Sequence, residues 1–194
     1  MKQGGNILFS GVGGQGILLA GELTAYAQLE AGFDVKKSEV HGMAQRGGSV
    51  VAHLKYGERV YSPLIEPGTA DIQVAFEELE AARYLPYLHK DSAVVVNTQK
   101  ILPPAVATGK ASYPDNILDE LKSRGINVVA LDAFAIAREI GELRTANVVM
   151  VGAMSNFLSV SPQIFLDVID QRVKKQFCEV NKKAFQAGRD IVYS

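Results

Sequence analysis

The stretch Asn6 to Gly16, NILFSGVGGQG, restricts the folds open to this chain more than any other. Ile7, Leu8 and Phe9 form an unbroken apolar run, as expected of an inner strand covered on both faces of a sheet. Gly11, Gly13, Gly14 and Gly16 follow directly and lead into an apolar helix, which makes a tight turn at a sheet end. Such a turn presents bare backbone N–H groups, where an anion or a partner's backbone can sit. Further on, His41 to Ser49, HGMAQRGGS, carries the only Arg-Gly-Gly of the chain. It falls where a second strand should end, so both loops are expected to project from one sheet edge.

The helix after the turn is expected over Gln15 to Ala31, with Ile17, Gly21, Ala25 and Leu29 on its core-facing row. Leu18, Leu19, Leu23 and Ala27 lie off that row, and a helix so apolar all round is expected to be buried on more than one side. Gly32 suits its C-terminal cap. Strands follow at Phe33 to Glu39 and Ser49 to Tyr56, and Gly57-Glu58 is expected to turn the latter into a hairpin with Arg59 to Ser62. Pro63 and Pro67-Gly68 break that unit. Asp71 to Phe76 reads as a strand, Glu77 to Leu88 as a helix and Ala93 to Asn97 as a strand. Pro103-Pro104 interrupts an edge stretch, Asp115 caps a helix to Arg124, and Asn127 to Leu131 is a further buried strand.

The last third is helical. Thr145 to Ser161 carries no charge, but Asn147, Ser155, Asn156 and Pro162 argue for a helix buried in protein and not in a membrane. Ile164, Phe165, Val168, Ile169 and Val173 mark one amphipathic helix, and Phe177, Val180, Ala184 and Ala187 mark the last. Alternating strands and helices predict a three-layer, Rossmann-like α/β sandwich with a mostly parallel but mixed sheet and C-terminal helices. One domain over 1–194 is expected, since 194 residues with 47% hydrophobic side chains suffice for a single core and no linker interrupts them.

Composition removes several function classes. A net charge of -1 and a pI near 6.3 give no nucleic-acid footprint. One cysteine, Cys178, can form neither an internal disulfide nor, by itself, a zinc or iron–sulfur site. The N-terminus lacks a signal-type apolar run and nowhere is there a membrane-length one, so a cytoplasmic chain is expected.

The motif Gly11-x-Gly13-x-x-Gly16 sits in the context of a dinucleotide fingerprint. Three readings stay open: glycines that merely let strand and helix pack, contact with a phosphate-bearing ligand, and true nicotinamide or flavin binding. The last wants an acid at the end of the second strand for the ribose hydroxyl. Asp34 opens that strand and Glu39 closes it several residues late. Arg46-Gly47-Gly48 offers a guanidinium beside open backbone, suited to an anion or carboxylate clamp or else a solvated turn. His41 titrates near neutrality but has no Ser or Asp partner in the sequence, which favours a capping or interface bond. His53 and His89 read as structural, and Lys36-Lys37 and Lys174-Lys175 as solvated faces.

Several pieces together resemble the gamma-type subunit of the 2-oxoacid:ferredoxin oxidoreductases, in the form of the indolepyruvate branch's small (beta) subunit. They are GVGGQG at Gly11 to Gly16, SEVHGMAQRGGSVVAHLKYG at Ser38 to Gly57, YSPLI at Tyr61 to Ile65, VVVNT at Val94 to Thr98, NVVMVGA at Asn147 to Ala153 and NKKAFQAG at Asn181 to Gly188. The resemblance implies a component of an enzyme that oxidatively decarboxylates a 2-oxoacid, an indolepyruvate or other arylpyruvate by branch, to an acyl-CoA while reducing ferredoxin. It implies no tightly bound cofactor here, with thiamine diphosphate and iron–sulfur clusters in a large partner subunit and ferredoxin reached through the complex. Carried over residue by residue, it assigns Gly11, Gly13, Gly14, Gln15, Gly16, Arg46, Gly47 and Gly48 to a coenzyme A-facing surface. His41, Gly42 and Met43 are assigned to a partner interface. A homodimer is the option for the chain alone, and a stand-alone nicotinamide or flavin oxidoreductase, or a plain interaction scaffold, is the competing reading.

Overall fold

The computed structural model describes residues 4–41 and 47–191. Six strands form one sheet: β1 (Gly5–Val12), β2 (Asp34–His41), β3 (Ser49–Gly57), β4 (Ala70–Ala75), β5 (Leu88–Asn97) and β6 (Asn127–Leu131), in the spatial order β2-β3-β1-β4-β5-β6. β1, β4, β5 and β6 are parallel, with Ile7 opposite Ile72, Ala75 opposite Val96 and Asn97 opposite Leu131. β3 runs antiparallel between β1 and β2, pairing Val12 with Ser49 and Val50 with His41. The first turn and the β2–β3 connection therefore leave the same edge of the sheet.

Strand pleating divides the core into two faces. Ile7 and Phe9 of β1, with Ala52, Leu54, Val74 and Val95, pack under α1 (Ile17–Glu30) and a C-terminal group of helices. Leu8, Val94 and Val96 point the other way, toward α2 (Glu78–Arg83) and, beyond the short α3 (Pro104–Ala107), α4 (Ile117–Ser123). The C-terminal group comprises α5 (Ala133–Ile140), α6 (Ala146–Ser155), α7 (Pro162–Arg172) and α8 (Cys178–Arg189). Every residue of α6 is buried, so its lack of charge reflects a protein interior, as the sequence indicated. Its Gly152 faces α8, whose Gly188 faces back: a Cβ on either would run into a backbone carbonyl of the other helix, Phe185 or Val149.

Several expectations fail, among them the single helix over Glu77 to Leu88, which ends at Arg83 before β5 starts at Leu88, and the Asp115 cap, since Asn116 precedes α4 and no side chain caps it. The hairpin placed at Gly57-Glu58 does not form; the antiparallel partners of β3 are β1 and β2, and residues 58–69 leave the sheet. Two of that segment's amides are satisfied elsewhere, the Val60 N–H donating to Asp34 Oδ2 at 2.8 Å and the Ile65 N–H to His53 Nδ1 at 3.1 Å. Pro63 and Pro67 have no N–H for a ladder. The buried row of α1 contains Ile17, Ala20, Gly21, Thr24 and Ala27, whereas Leu29 is 46% exposed, and Leu18 and Leu19 are 41% and 37% exposed. The helix is thus buried on one side of this chain and apolar on both. The uncharged helix expected to reach Ser161 stops at Ser155. Helix α5 was not anticipated, although Asp132 caps it through Ala135 N–H at 2.9 Å and Gly141 ends it in the left-handed region. Among the described residues no helix is long and apolar enough to cross a membrane.

Candidate functional site

Two loops meet at the sheet edge through backbone bonds. The Gly13 N–H donates to the Gly48 carbonyl at 2.8 Å, and the Gly47 N–H donates to the Gly13 carbonyl at 3.3 Å. The glycine turn and the base of the hairpin loop are one surface. Gly11, Gly13, Gly14, Gln15 and Gly16 thus come together with Gly47 and Gly48, and the His41 backbone ends β2 beside them. Gly42, Met43 and Arg46 lie outside the described residues.

The glycines have distinct tasks. A Cβ at Gly11 would press on Ile17, Phe76 and the Gln15 amide, all within 2.9 Å, so this glycine lets the first helix close on the strand. Gly16 caps α1 at φ 79°, and a Cβ there would meet Asn147 Nδ2 at 2.5 Å. Asn147 instead donates its amide to the Gly16 carbonyl at 3.2 Å, tying α6 to the turn. Gly14 has φ 106° with open space beside it.

Gln15 serves the scaffold. Its Oε1 accepts from Val12 N–H at 2.7 Å, and its Nε2 donates to the Phe76 carbonyl at 2.8 Å and to Gln99 Oε1 at 2.9 Å. Both amide hydrogens are used, and the turn is clamped to the ends of β1 and β4. No side chain caps α1, and its first turn holds no acidic residue. The first amides of a helix have no intrahelical acceptor and carry the positive end of its dipole, which makes this terminus receptive to an anion.

A cleft of about 510 Å³ opens at that terminus, lined by Gly13, Gly14, Gly16, Leu18, Leu19 and Val50. A second, of about 340 Å³, lies on the other side of the turn against Phe134, Leu143, Arg144 and Asn147. The apolar residues around the turn, Leu18, Leu19 and Leu143, are exposed.

The hairpin base is pinned from the opposite face. Ser49 Oγ donates to Glu80 Oε2 at 2.5 Å, and Arg83 Nε pairs with the other Glu80 oxygen at 2.9 Å. Glu77 holds the Tyr113 hydroxyl at 2.5 Å and caps α2 through Glu80 N–H. Burial, then the Glu77 hydrogen bond, pushes the Tyr113 phenol up. His53, packed inside, has its imidazole shifted down by desolvation, which favours the neutral ring that accepts from Ile65. Sequence reasoning missed Asn147, Glu80, Ser49 and Gln99. Only Asn147 carried a local signal, as a lone amide at the head of an apolar helix.

The second strand does not build a nucleotide-ribose site. In a dinucleotide fold the acid stands on the strand adjacent to β1. Here β3 intervenes, so the end of β2 is two strand spacings away, about 10 Å. Glu39 is in addition paired with Lys37 at 2.6 Å. Among the described residues no group of three or more His, Cys, Asp and Glu is placed to hold a metal ion. The Cys178 thiol is buried and donates to the Val173 carbonyl at 3.4 Å.

The fold and the site together define an α/β subunit with an open anion-receptive edge and an apolar rim. The family model for pyruvate ferredoxin/flavodoxin oxidoreductase matches residues 6–191, and the chain belongs to that family. It is 42% identical over 190 residues to the indolepyruvate oxidoreductase subunit IorB of Thermococcus kodakarensis, covering 94% of this chain and 93% of that one. Among solved structures it is similar to the gamma subunit of a keto/oxoacid ferredoxin oxidoreductase from Geobacter sulfurreducens, with 25% identity, a TM-score of 0.70 and coverage of 94% and 95%. It also shares its fold with the 2-oxoglutarate:ferredoxin oxidoreductase of Magnetococcus marinus, solved with 2-oxoglutarate, coenzyme A and succinyl-CoA bound. The TM-score there is 0.76 at 19% identity, with all of this chain covering 32% of that one.

Proposed function

We propose that this chain is the small subunit of an indolepyruvate-type 2-oxoacid:ferredoxin oxidoreductase, and that it holds coenzyme A against a large catalytic partner. The observation that carries the reading is the junction of Gly13 with Gly47 and Gly48, which brings the uncapped start of α1 beside the first residues before β3. The diphosphate of coenzyme A rests on the amides after Gly14, where the helix dipole favours negative charge. Its pantetheine arm follows the apolar wall of Leu18, Leu19 and Val50 toward the partner. The exposed leucines of α1 then become buried between subunits, which answers why that helix is apolar on both sides.

Thiamine diphosphate and iron–sulfur clusters belong to the partner in this reading. The donor chemistry described here does not fit a cluster, because a cluster needs about four thiolates and the single cysteine is spent on core carbonyls. The chain by itself therefore binds and positions; it carries out no turnover.

Co-purification with the large subunit followed by an arylpyruvate- and coenzyme A-dependent dye-reduction assay tests the proposal. Activity is expected only with both chains present. Full activity of the large subunit alone would overturn it. Tight saturable binding of a nicotinamide or flavin by this chain would instead favour the stand-alone oxidoreductase.

A further inference from the structure

The sheet has two open edges. Strand β6 is five residues long, whereas β2 spans eight and pairs residue for residue with β3, from Asp34 opposite Gly57 to His41 opposite Val50. Among the described residues its other side meets no strand. None of Asp34 to Val40 is buried, and Val40 is 54% exposed. Such a strand presents a row of unpaired backbone N–H and C=O groups, which proteins guard with proline, a bulge, a short strand or charge. Strand β2 has no proline and no bulge, and of these guards it carries only charge.

That charge is balanced within the strand. Lys36 pairs with Asp34 at 2.7 Å, and Lys37 with Glu39 at 2.6 Å. The two pairs project from opposite faces, because side chains alternate along a strand. Lys37 and Glu39 stand on the face that carries α1, where a Cβ on Gly21 would lie 3.7 Å from the Lys37 stem. Lys36, Ser38 and Val40 stand on the other face, level with Lys55, His53 and Val51 of β3. A neutral edge of this kind does not repel a second copy of itself by net charge. The order of the charges then selects the register in which two copies can pair.

A two-fold axis perpendicular to the sheet pairs two copies of β2 antiparallel and keeps every side chain on its own face, so the axis passes through a residue. Centred on Lys36, Lys37 or Glu39, it sets that residue against its own charge, which is destabilising. Centres nearer either end leave three residues or fewer of the strand paired. Centred on Ser38, it sets Lys37 opposite Glu39 of the second copy, twice by symmetry, and Lys36 opposite the exposed Val40, which can lie against the lysine stem. We infer that β2 joins two copies of this chain, antiparallel about Ser38, so that their six-stranded sheets become one continuous sheet. The contact needs no ligand, and it is independent of the coenzyme A reading above.

Sedimentation velocity of the full chain over a concentration series, with cysteine cross-linking of the chain and of its complex with the large subunit, tests the contact. The wild type is expected to dimerise reversibly. Lys37→Glu and Glu39→Lys each set like charges opposite one another at both symmetry-related pairs and should weaken the dimer by about tenfold or more. The double swap Lys37→Glu/Glu39→Lys should restore it. Unfolding midpoints of the monomer should stay close to wild type, since an exposed ion pair contributes little to one chain's fold. Ser38→Cys is expected to give a disulfide-linked dimer on mild oxidation, because residues directly opposite have Cβ atoms about 4.5–5.5 Å apart. Lys36→Cys should not, its two copies standing about 14 Å apart in this register. The wild type, whose Cys178 is buried, is the control. A chain that stays monomeric throughout the series, a dimer indifferent to both single charge variants, or equal cross-linking of Lys36→Cys and Ser38→Cys overturns the inference. Cross-linking of Ser38→Cys to the large subunit also overturns it and assigns the edge to that partner.

Discussion

Gln15 offers a sharp separation of scaffold from ligand contact. In Gln15→Ala the Val12 N–H, at the buried end of β1, loses its acceptor at 2.7 Å. An orphaned buried donor costs about 1–3 kcal/mol. The Phe76 carbonyl loses one donor but keeps the Asn97 amide at 3.1 Å, and half-buried Gln99 turns to water, so these add little. The sum is about 2 kcal/mol. For a domain of this size each kcal/mol shifts Tm by about 2–4 °C, so a drop of roughly 4–8 °C is expected in a reversible thermal melt followed by circular dichroism. Gln15→Glu should be no milder, because it keeps the acceptor but faces a carboxylate toward the Phe76 carbonyl. A Gln15→Ala protein that melts within about 1 °C of wild type while its coenzyme A affinity collapses would refute this reasoning and make Gln15 a ligand contact.

Two further outcomes follow from the geometry. Gly16→Ala must adopt φ 79° and displace the Asn147 amide. The left-handed conformation alone costs about 1–2 kcal/mol, so a Tm loss of the same order as for Gln15→Ala, with weakened binding at the α1 start, is expected; an unaltered melt counts against the close approach of α6. Tyr56 has its phenol pushed from 10.0 to about 12, first by burial and then by Asp71. A raised folded-state value means that stability is whole below pH 10 and is lost as pH rises from 10 toward 12, because the unfolded chain ionises first. Urea midpoints measured across that window should fall, and Tyr56→Phe should flatten the fall; a profile of equal slope in both proteins assigns the alkaline loss to other groups.

Much of the molecule is written locally. The apolar run at Ile7 to Phe9, the glycines after it and the bounds of β6 could be read directly, because strand pleat and turn conformation depend on neighbouring residues. The buried character of α6 followed from ten uncharged positions. The site was legible as two motifs at one sheet edge, but not as a contact. Nothing local states that the Gly13 and Gly48 backbones bond, or that the Gln15 side chain reaches residues 61 and 84 positions away. The false hairpin at Gly57-Glu58 shows the same limit: a turn signal is local, whereas the outcome depended on Asp34 and His53 capturing the amides that would have paired.

By itself, then, the sequence determined most of the alternation of strands and helices, though not α5 and with a false strand after Gly57, together with the glycine turn at a sheet end and, through motif resemblance, the family. Only the tertiary structure decided that β3 inserts antiparallel between β1 and β2, which joins the two loops and moves the second-strand acid out of reach of a dinucleotide. It also decided that Leu18 and Leu19 stay exposed on α1, and that Arg172 and Lys174 meet in one cleft beside them. The physical reason is the same in each case. Periodicity reports which face of an element is apolar, while the occupant of that face is settled by long-range competition among segments that come together only once the chain has folded.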